Sequence, residues 1–247
     1  MRSYILAAAI LILGCSDWPA SASPYATDDP EIVDAKSWQI ALFSQENTND
    51  NGKSGTAAGV ELDYGLMRGL QASVSVPVGF SAPNRDDADL GMSHIEFGVK
   101  YAIIDDTHAV LPAISFCPSV EFSFRASYKL TDGATHFFFP VWAEKSWGAW
   151  TLRGGAGYRT NPGRGGKDSV FSGTGLTRSL TDQLQLGGEI FLETSSARGE
   201  PAATGYNLGF TYALTDRLQL GISAGSGLSS TSSIRGLNFY TGVQWSI

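Results

Sequence analysis

The sequence predicts an all-β chain, a transmembrane antiparallel up-and-down β-barrel of about twelve strands. Three observations predict it. From Lys36 onward, apolar side chains recur at every second position in segments of about ten residues, the period of a strand with two unlike faces. The connections between these segments alternate between short turns and longer polar loops. The chain then stops on "YTGVQWSI", Tyr240 to Ile247, an alternating strand with no polar tail on a protein of formal net charge −7. Chain ends usually fray unless something ties them down, so this ending needs a neighbour. Strands of this length, in even number, with turns alternating short and long, are the pattern of outer-membrane barrels. In lipid they must close on themselves, because no edge can be left unpaired.

At the N-terminus, the unbroken apolar run Ile5 to Leu13 is too short to span a bilayer as a helix and follows Arg2, as in a secretory signal peptide. Ala20-Ser21-Ala22 is a small-residue cleavage site that leaves Ser23 as the mature start, dividing the chain into a signal peptide at 1–22 and a barrel at 23–247. Ile12-Leu13-Gly14-Cys15 also resembles the box before a lipidated cysteine; cleavage at Ala22 is preferred because "SPYATDDP" reads as a mature N-terminus. If Cys15 leaves with the signal, Cys117 has no intrachain partner and reads as a small apolar side chain rather than a nucleophile.

The strands are expected at about 36–45, 56–66, 70–80, 92–103, 108–118, 135–144, 149–160, 169–180, 184–194, 204–214, 218–226 and 235–247. Ile95, Phe97, Val99, Tyr101 and Ile103 mark the clearest apolar face, with His94, Glu96, Gly98, Lys100 and Ala102 between them. A gapless internal repeat supports the parse: "TGLTRSLTDQLQLG" from Thr174 aligns on "LGFTYALTDRLQLG" from Leu208, each one hairpin around a short turn. Longer loops are expected at "ENTNDNGKSG", "SAPNRDDADLG", "NPGRGGKD", "SSARGEPAA", "SGLSSTSS" and after Pro118, where an extended hairpin is favoured over an inward fold. Closure supplies the neighbour that the ending needs: the last strand is expected to pair with the first, "KSWQIALFSQ", and to turn Trp245 and Ile247 to lipid. An even strand count puts both termini and the short turns on the periplasmic side. Trp38, Tyr64, Trp147, Trp150, Tyr212 and Trp245 suit the interface belt, and Arg178, at the repeat position of Tyr212, suits snorkelling.

Two stretches resemble a known family. "SPYATDDP", followed by a strand containing Trp38, and "LPAISFCPSVEF" at Leu111 to Phe122 are similar to the proteobacterial outer-membrane putative transporters of the meta-pathway of phenol degradation. The resemblance implies a Gram-negative outer-membrane location and a passive, porin-like channel for small organic, aromatic or hydrophobic solutes; it assigns no residues. "YTGVQWSI" also resembles the C-terminal signal read by the barrel-assembly machinery, through Tyr240, Gly242, Trp245 and Ile247, with Ile247 where Phe or Trp is usual. Further expected partners are outer-membrane lipid and lipopolysaccharide.

On the inward phase, Glu61, Asp63, His94, Glu96, Lys100, Arg153, Arg159, Glu189 and Glu193 are the candidate pore lining, joined by Phe43 and Trp142. The same charges also read as ion pairs that plug a narrow lumen. A structural or adhesive barrel with a plugged lumen is therefore the first alternative to a channel, and a lipid-modifying enzyme the second. The enzyme reading is disfavoured because Ser93-His94 in a regular strand places the two side chains on opposite faces. No cofactor is called for: "GRGGKDS" lacks the spacing of a phosphate loop and "RDDADLG" that of an EF-hand. Three histidines and one mature cysteine argue against a transition-metal site. The 17 Lys and Arg are scattered without a basic stripe, which argues against nucleic acid.

Overall fold

The computed structural model describes residues 23–49, 52–84, 87–105, 110–123, 130–131, 133–163, 166–197, 199, 201–228 and 236–247; the expected signal peptide lies outside them. Every regular element among the described residues is a strand: β1 (Trp38–Asn49), β2 (Gly52–Met67), β3 (Leu70–Asn84), β4 (Asp87–Met92), β5 (His94–Ile104), β6 (Ala113–Phe116), β7 (Ser119–Ser123), β8 (Thr135–Trp147), β9 (Trp150–Arg159), β10 (Ser169–Ser179), β11 (Leu184–Glu193), β12 (Ala203–Thr215), β13 (Leu218–Gly227) and β14 (Leu237–Ser246). β4 and β5 are two halves of one barrel strand, since β3 pairs with both; β6 and β7 are halves of another, each lying between β5 and β8. The result is a closed antiparallel barrel of twelve strands.

Closure occurs where the C-terminal sequence requires it. β14 pairs with β1 in the register Ile40↔Trp245, Leu42↔Val243 and Gln45↔Tyr240, and the seam ends in a reciprocal pair, Trp38 N–H to Ile247 O at 2.9 Å and Ile247 N–H to Trp38 O at 2.8 Å. Both termini of the barrel wall therefore lie at one end. The faces separate as the period-two pattern dictates. Phe97, Val99, Tyr101 and Ile103 point outward, as do Leu208, Leu214, Trp245 and Ile247. Near the short turns Trp38 packs at a tilt of 38° against Tyr64 with centroids 4.5 Å apart, and the Arg178 guanidinium lies 5.0 Å from the Trp150 ring centre. Tyr240 points inward, unlike Trp245, and stacks on Phe43 at 6.4 Å.

The structure departs from the expected strands in several places, among them the strand expected from 108, which begins at Ala113. Of "ENTNDNGKSG", expected as a loop, Glu46 to Asn49 belong to β1 and Gly52 to Gly55 to β2, paired strand to strand. Of "SAPNRDDADLG", Ser81 to Asn84 belong to β3 and Asp87 to Gly91 to β4. Above the lipid band both strand faces meet water, so backbone pairing continues without an apolar stripe to announce it. The strand expected to stop at Pro118 runs on to Ser123. Pro118 has no N–H to donate and divides β6 from β7, yet its carbonyl still accepts Val99 N–H at 3.0 Å. Finally, the β4–β5 strand is interrupted at Ser93, which brings Ser93 Oγ to 3.2 Å from His94 Nδ1; the expectation that these side chains lie on opposite faces assumed unbroken pleating.

Candidate functional site

Residues 23–36, which carry no periodicity, thread into the barrel and lie across its interior. Tyr25, Ala26 and Thr27 are 5%, 6% and 0% exposed, as buried as any core residue. The segment leaves β1 at the terminal end of the barrel, where Lys36 N–H donates to Gly65 O at 2.7 Å. It passes Gln71, whose Oε1 accepts Val33 N–H at 2.9 Å while its Nε2 donates to Asp63 Oδ1 at 2.9 Å. At mid-lumen Lys100 Nζ donates to the Asp29 carbonyl at 2.9 Å and lies 3.2 Å from Asp28 Oδ2 and 3.7 Å from Asp29 Oδ1. Arg153 sits 3.9 Å from Asp29 Oδ2, 3.2 Å from Glu144 Oε2 and 6.0 Å from the Tyr25 ring centre.

On the far wall the segment is clamped by its backbone. The Glu189 carboxylate accepts Ala26 N–H at 2.7 Å and Thr27 N–H at 2.8 Å, and is itself held by Asn207 Nδ2 at 2.6 Å. Bonds to an ionised acceptor are the strong kind. Small inward residues make the room: a Cβ on Gly187 would lie 2.6 Å from Tyr25 Oη, and one on Gly173 would collide with Thr27 Oγ1. Gly187 and Gly221 occupy the same position in the two copies of the repeat, and Gly221 lies against Pro24. The repeat thus supplies two places of the segment's bed.

Charge in the segment follows from these neighbours. Burial pushes the Asp29 carboxyl up, but Lys100 and Arg153 outweigh it and hold the group below its ordinary value. Asp28 shares Lys100 and is pushed up, first by its burial and then by Asp29. The Tyr25 phenol is pushed up to about 12 by burial.

Each candidate lining residue faces inward, but the structure sorts them into groups. Lys100, Arg153 and Glu189 hold the segment directly, and Asp63 does so through Gln71. Glu61, Asp63, Glu96, Lys100 and Trp142 line a cavity of about 500 Å³ that runs from the terminal end to mid-lumen beside the segment. Arg159 and Glu193 pair at 3.7 Å higher in the barrel, and His94 lies 3.6 Å from Glu121. Phe43 is apart from these, at the β1–β14 seam. Trp142 meets Phe171 edge-on at 6.2 Å, Phe171 stacks on Phe191 at 6.1 Å, and Ala26, Cys117 and Phe138 complete this cluster. Phe171 and Phe191 were missed among the candidates, though Phe191 shares the phase of Glu189 and Glu193 on β11. The segment itself was missed for a different reason: the signal was the paired acids of "ATDDP", which need cations that only the assembled barrel provides.

The Ser93–His94 contact does not build a catalytic triad. Ser93 Oγ and Glu121 Oε1 both approach Nδ1 of His94 while Nε2 has no hydrogen-bond partner, whereas a triad needs the base and the orienting acid on different ring nitrogens.

No family model matches the chain, and no curated protein matches it. Solved structures do. The chain is similar to a COG4313 outer-membrane channel from Pseudomonas putida F1, with a TM-score of 0.67 and 13% identity over 88% of this chain and 97% of that one. The KdgM porin matches with a TM-score of 0.60 and 10% identity, covering 85% of this chain and 99% of that one. The NanC porin matches with a TM-score of 0.59 and 11% identity, covering 83% and 98%. Outer-membrane phospholipase A from Escherichia coli, at a TM-score of 0.52, 12% identity and coverage of 84% and 89%, shares the same barrel architecture. At such identities the likeness establishes the fold alone, a closed antiparallel β-barrel of the kind these outer-membrane proteins share.

Proposed function

We propose that the protein is a passive outer-membrane channel for small organic solutes, whose lumen is narrowed by its own N-terminal segment. The carrying observation is that the segment, fastened largely by polar contacts, leaves a cavity of about 500 Å³ beside it. Channels among the similar folds, the apolar outer face and the aromatic-rich ending support a Gram-negative outer-membrane location with lipid and lipopolysaccharide around the barrel. The inward cluster of Phe138, Trp142, Phe171 and Phe191 supports aromatic or hydrophobic solutes, in keeping with the resemblance to the phenol meta-pathway transporters. Selection would rest on width and on the mixed lining charges, and the solute gradient would drive passage. Export would use the signal at 1–22, and assembly the β14 strand with Trp245 and Ile247.

The test is single-channel conductance of the refolded protein with catechol, benzoate or phenol added on one side. Steady conductance blocked by an aromatic in a concentration-dependent way is expected. A folded, heat-modifiable barrel that never conducts, with or without residues 23–36, would sink the channel and leave a structural or adhesive barrel. That second reading is favoured by the bidentate Glu189 clamp, which suits permanent closure.

A further inference from the structure

Away from the ion pairs that fasten the segment, the inner wall carries a constellation that composition alone argued against. His94 and Glu96 lie two apart on β5 and so face the lumen together, and Glu121 on β7 is the direct cross-strand partner of Glu96. One nitrogen and two carboxylate oxygens, one from each residue, converge to within 4.8 Å of one another. His94 Nδ1 is already 3.6 Å from Glu121 Oε1, and its side chain is only 14% exposed. The other ring nitrogen, Nε2, is closed off from solvent and makes no hydrogen bond. A neutral imidazole has one N–H and one lone pair; with the N–H at Nε2, the lone pair of Nδ1 faces the carboxylates, where a cation can accept it. Two carboxylates directly opposite across a strand pair repel, and a doubly charged cation matches their combined charge.

We propose that His94, Glu96 and Glu121 bind a zinc-type divalent cation on the lumen wall, with the fourth position left to water or solute. An imidazole with two carboxylates is a donor set that zinc accepts, whereas calcium and magnesium prefer oxygen throughout. A tetrahedral ion with bonds of about 2.0–2.2 Å holds its ligand atoms roughly 3.3–3.6 Å apart, so a contraction of about an ångström, within reach of the two flexible Glu side chains, closes the site. Its place in the barrel gives the ion a task. β5 begins directly after the interruption at Ser93, and β7 directly after that at Cys117 and Pro118. A cation shared by the two strands ties the wall together beside these two interruptions. Glu96 also borders the cavity, which sets the ion at its edge.

The experiment uses the refolded full-length barrel, stripped with a chelator and then titrated with Zn²⁺ by calorimetry and with Co²⁺ by visible absorption. One saturable ion per chain is expected, with a four-coordinate cobalt spectrum and a higher temperature of heat modification. Glu121→Gln and His94→Asn should each weaken binding at least tenfold, the lower end of what losing even a supporting residue costs. Asp216→Asn, in an exposed turn, should bind as the parent does. Folding of each variant is read from its heat-modifiable band; should His94→Asn fail to fold, Glu96→Gln replaces it. Absence of saturable Zn²⁺ binding, or binding undiminished in the folded variants, overturns the site.

Discussion

Replacing Glu189 by Ala should loosen the N-terminal segment and open the lumen. The carboxylate makes two charge-assisted hydrogen bonds to the segment, at 2.7 and 2.8 Å, and nothing else described on the far wall accepts the Ala26 and Thr27 amides. Such bonds contribute about 1.5–3 kcal/mol each. Both amides belong to buried residues, so truncation also strands two donors until water reaches them. Partial hydration of the space left behind offsets some of this, giving a net weakening of about 3–5 kcal/mol. At roughly 1.4 kcal/mol per tenfold, the released fraction of barrels rises by about two to three and a half orders of magnitude. The assay is planar-bilayer conductance of parent, Glu189→Ala, Glu189→Gln and a chain lacking residues 23–36. Glu189→Ala should approach the truncated chain, with Glu189→Gln between, since its single amide oxygen keeps one acceptor. If truncation raises conductance and Glu189→Ala does not, the clamp is not what holds the segment; if neither raises it, the segment is not the obstruction.

Other outcomes test neighbouring links. Gly173→Val should mimic Glu189→Ala in conductance while leaving the heat-modifiable band intact, because its side chain would occupy the place of Thr27 rather than disturb the outer wall; unchanged conductance would mean the segment shifts aside at little cost. Leu208→Arg, mid-strand on the lipid face and 63% exposed, should lower barrel stability by about 2–4 kcal/mol in urea unfolding from lipid, and a neutral result would contradict the assigned outer face. On acidification, the contribution of Asp29, whose carboxyl is held low, is present above the ordinary carboxylate range and is lost only as pH falls through its lowered value. Asp28, pushed up, takes a proton first and relieves repulsion with Asp29, which delays release. Conductance should therefore stay low through mild acid and rise only in stronger acid; a rise just below neutrality would refute the assignment. Mass spectrometry of the purified barrel should find Ser23 at the mature N-terminus, and a diacylated Cys15 would overturn the preferred cleavage.

The sequence by itself determined the barrel: its strand count, its closure and, wherever the pleating is unbroken, the face each side chain takes. Those properties follow from period two, which any ten residues of a strand display on their own, and from the rule that lipid tolerates no open edge. Hence Glu61, Lys100, Arg153 and Trp142 could be placed inside before any contact was known. Strand ends beyond the lipid escaped, since Asn47, Thr48 and Asn49 pair with Ser54, Lys53 and Gly52 with no apolar pattern to reveal it. The two interruptions at Ser93 and Pro118 were visible only once neighbours showed which pairings were lost. Only the tertiary structure decided what fills the lumen. Ala26 and Glu189 are 163 positions apart, Asp29 finds Lys100 and Arg153 on different strands, and His94 meets Glu121 across another pair. An aperiodic segment carries no local signature of its docking site, because the groups that receive it come into register only when twelve strands have closed around it.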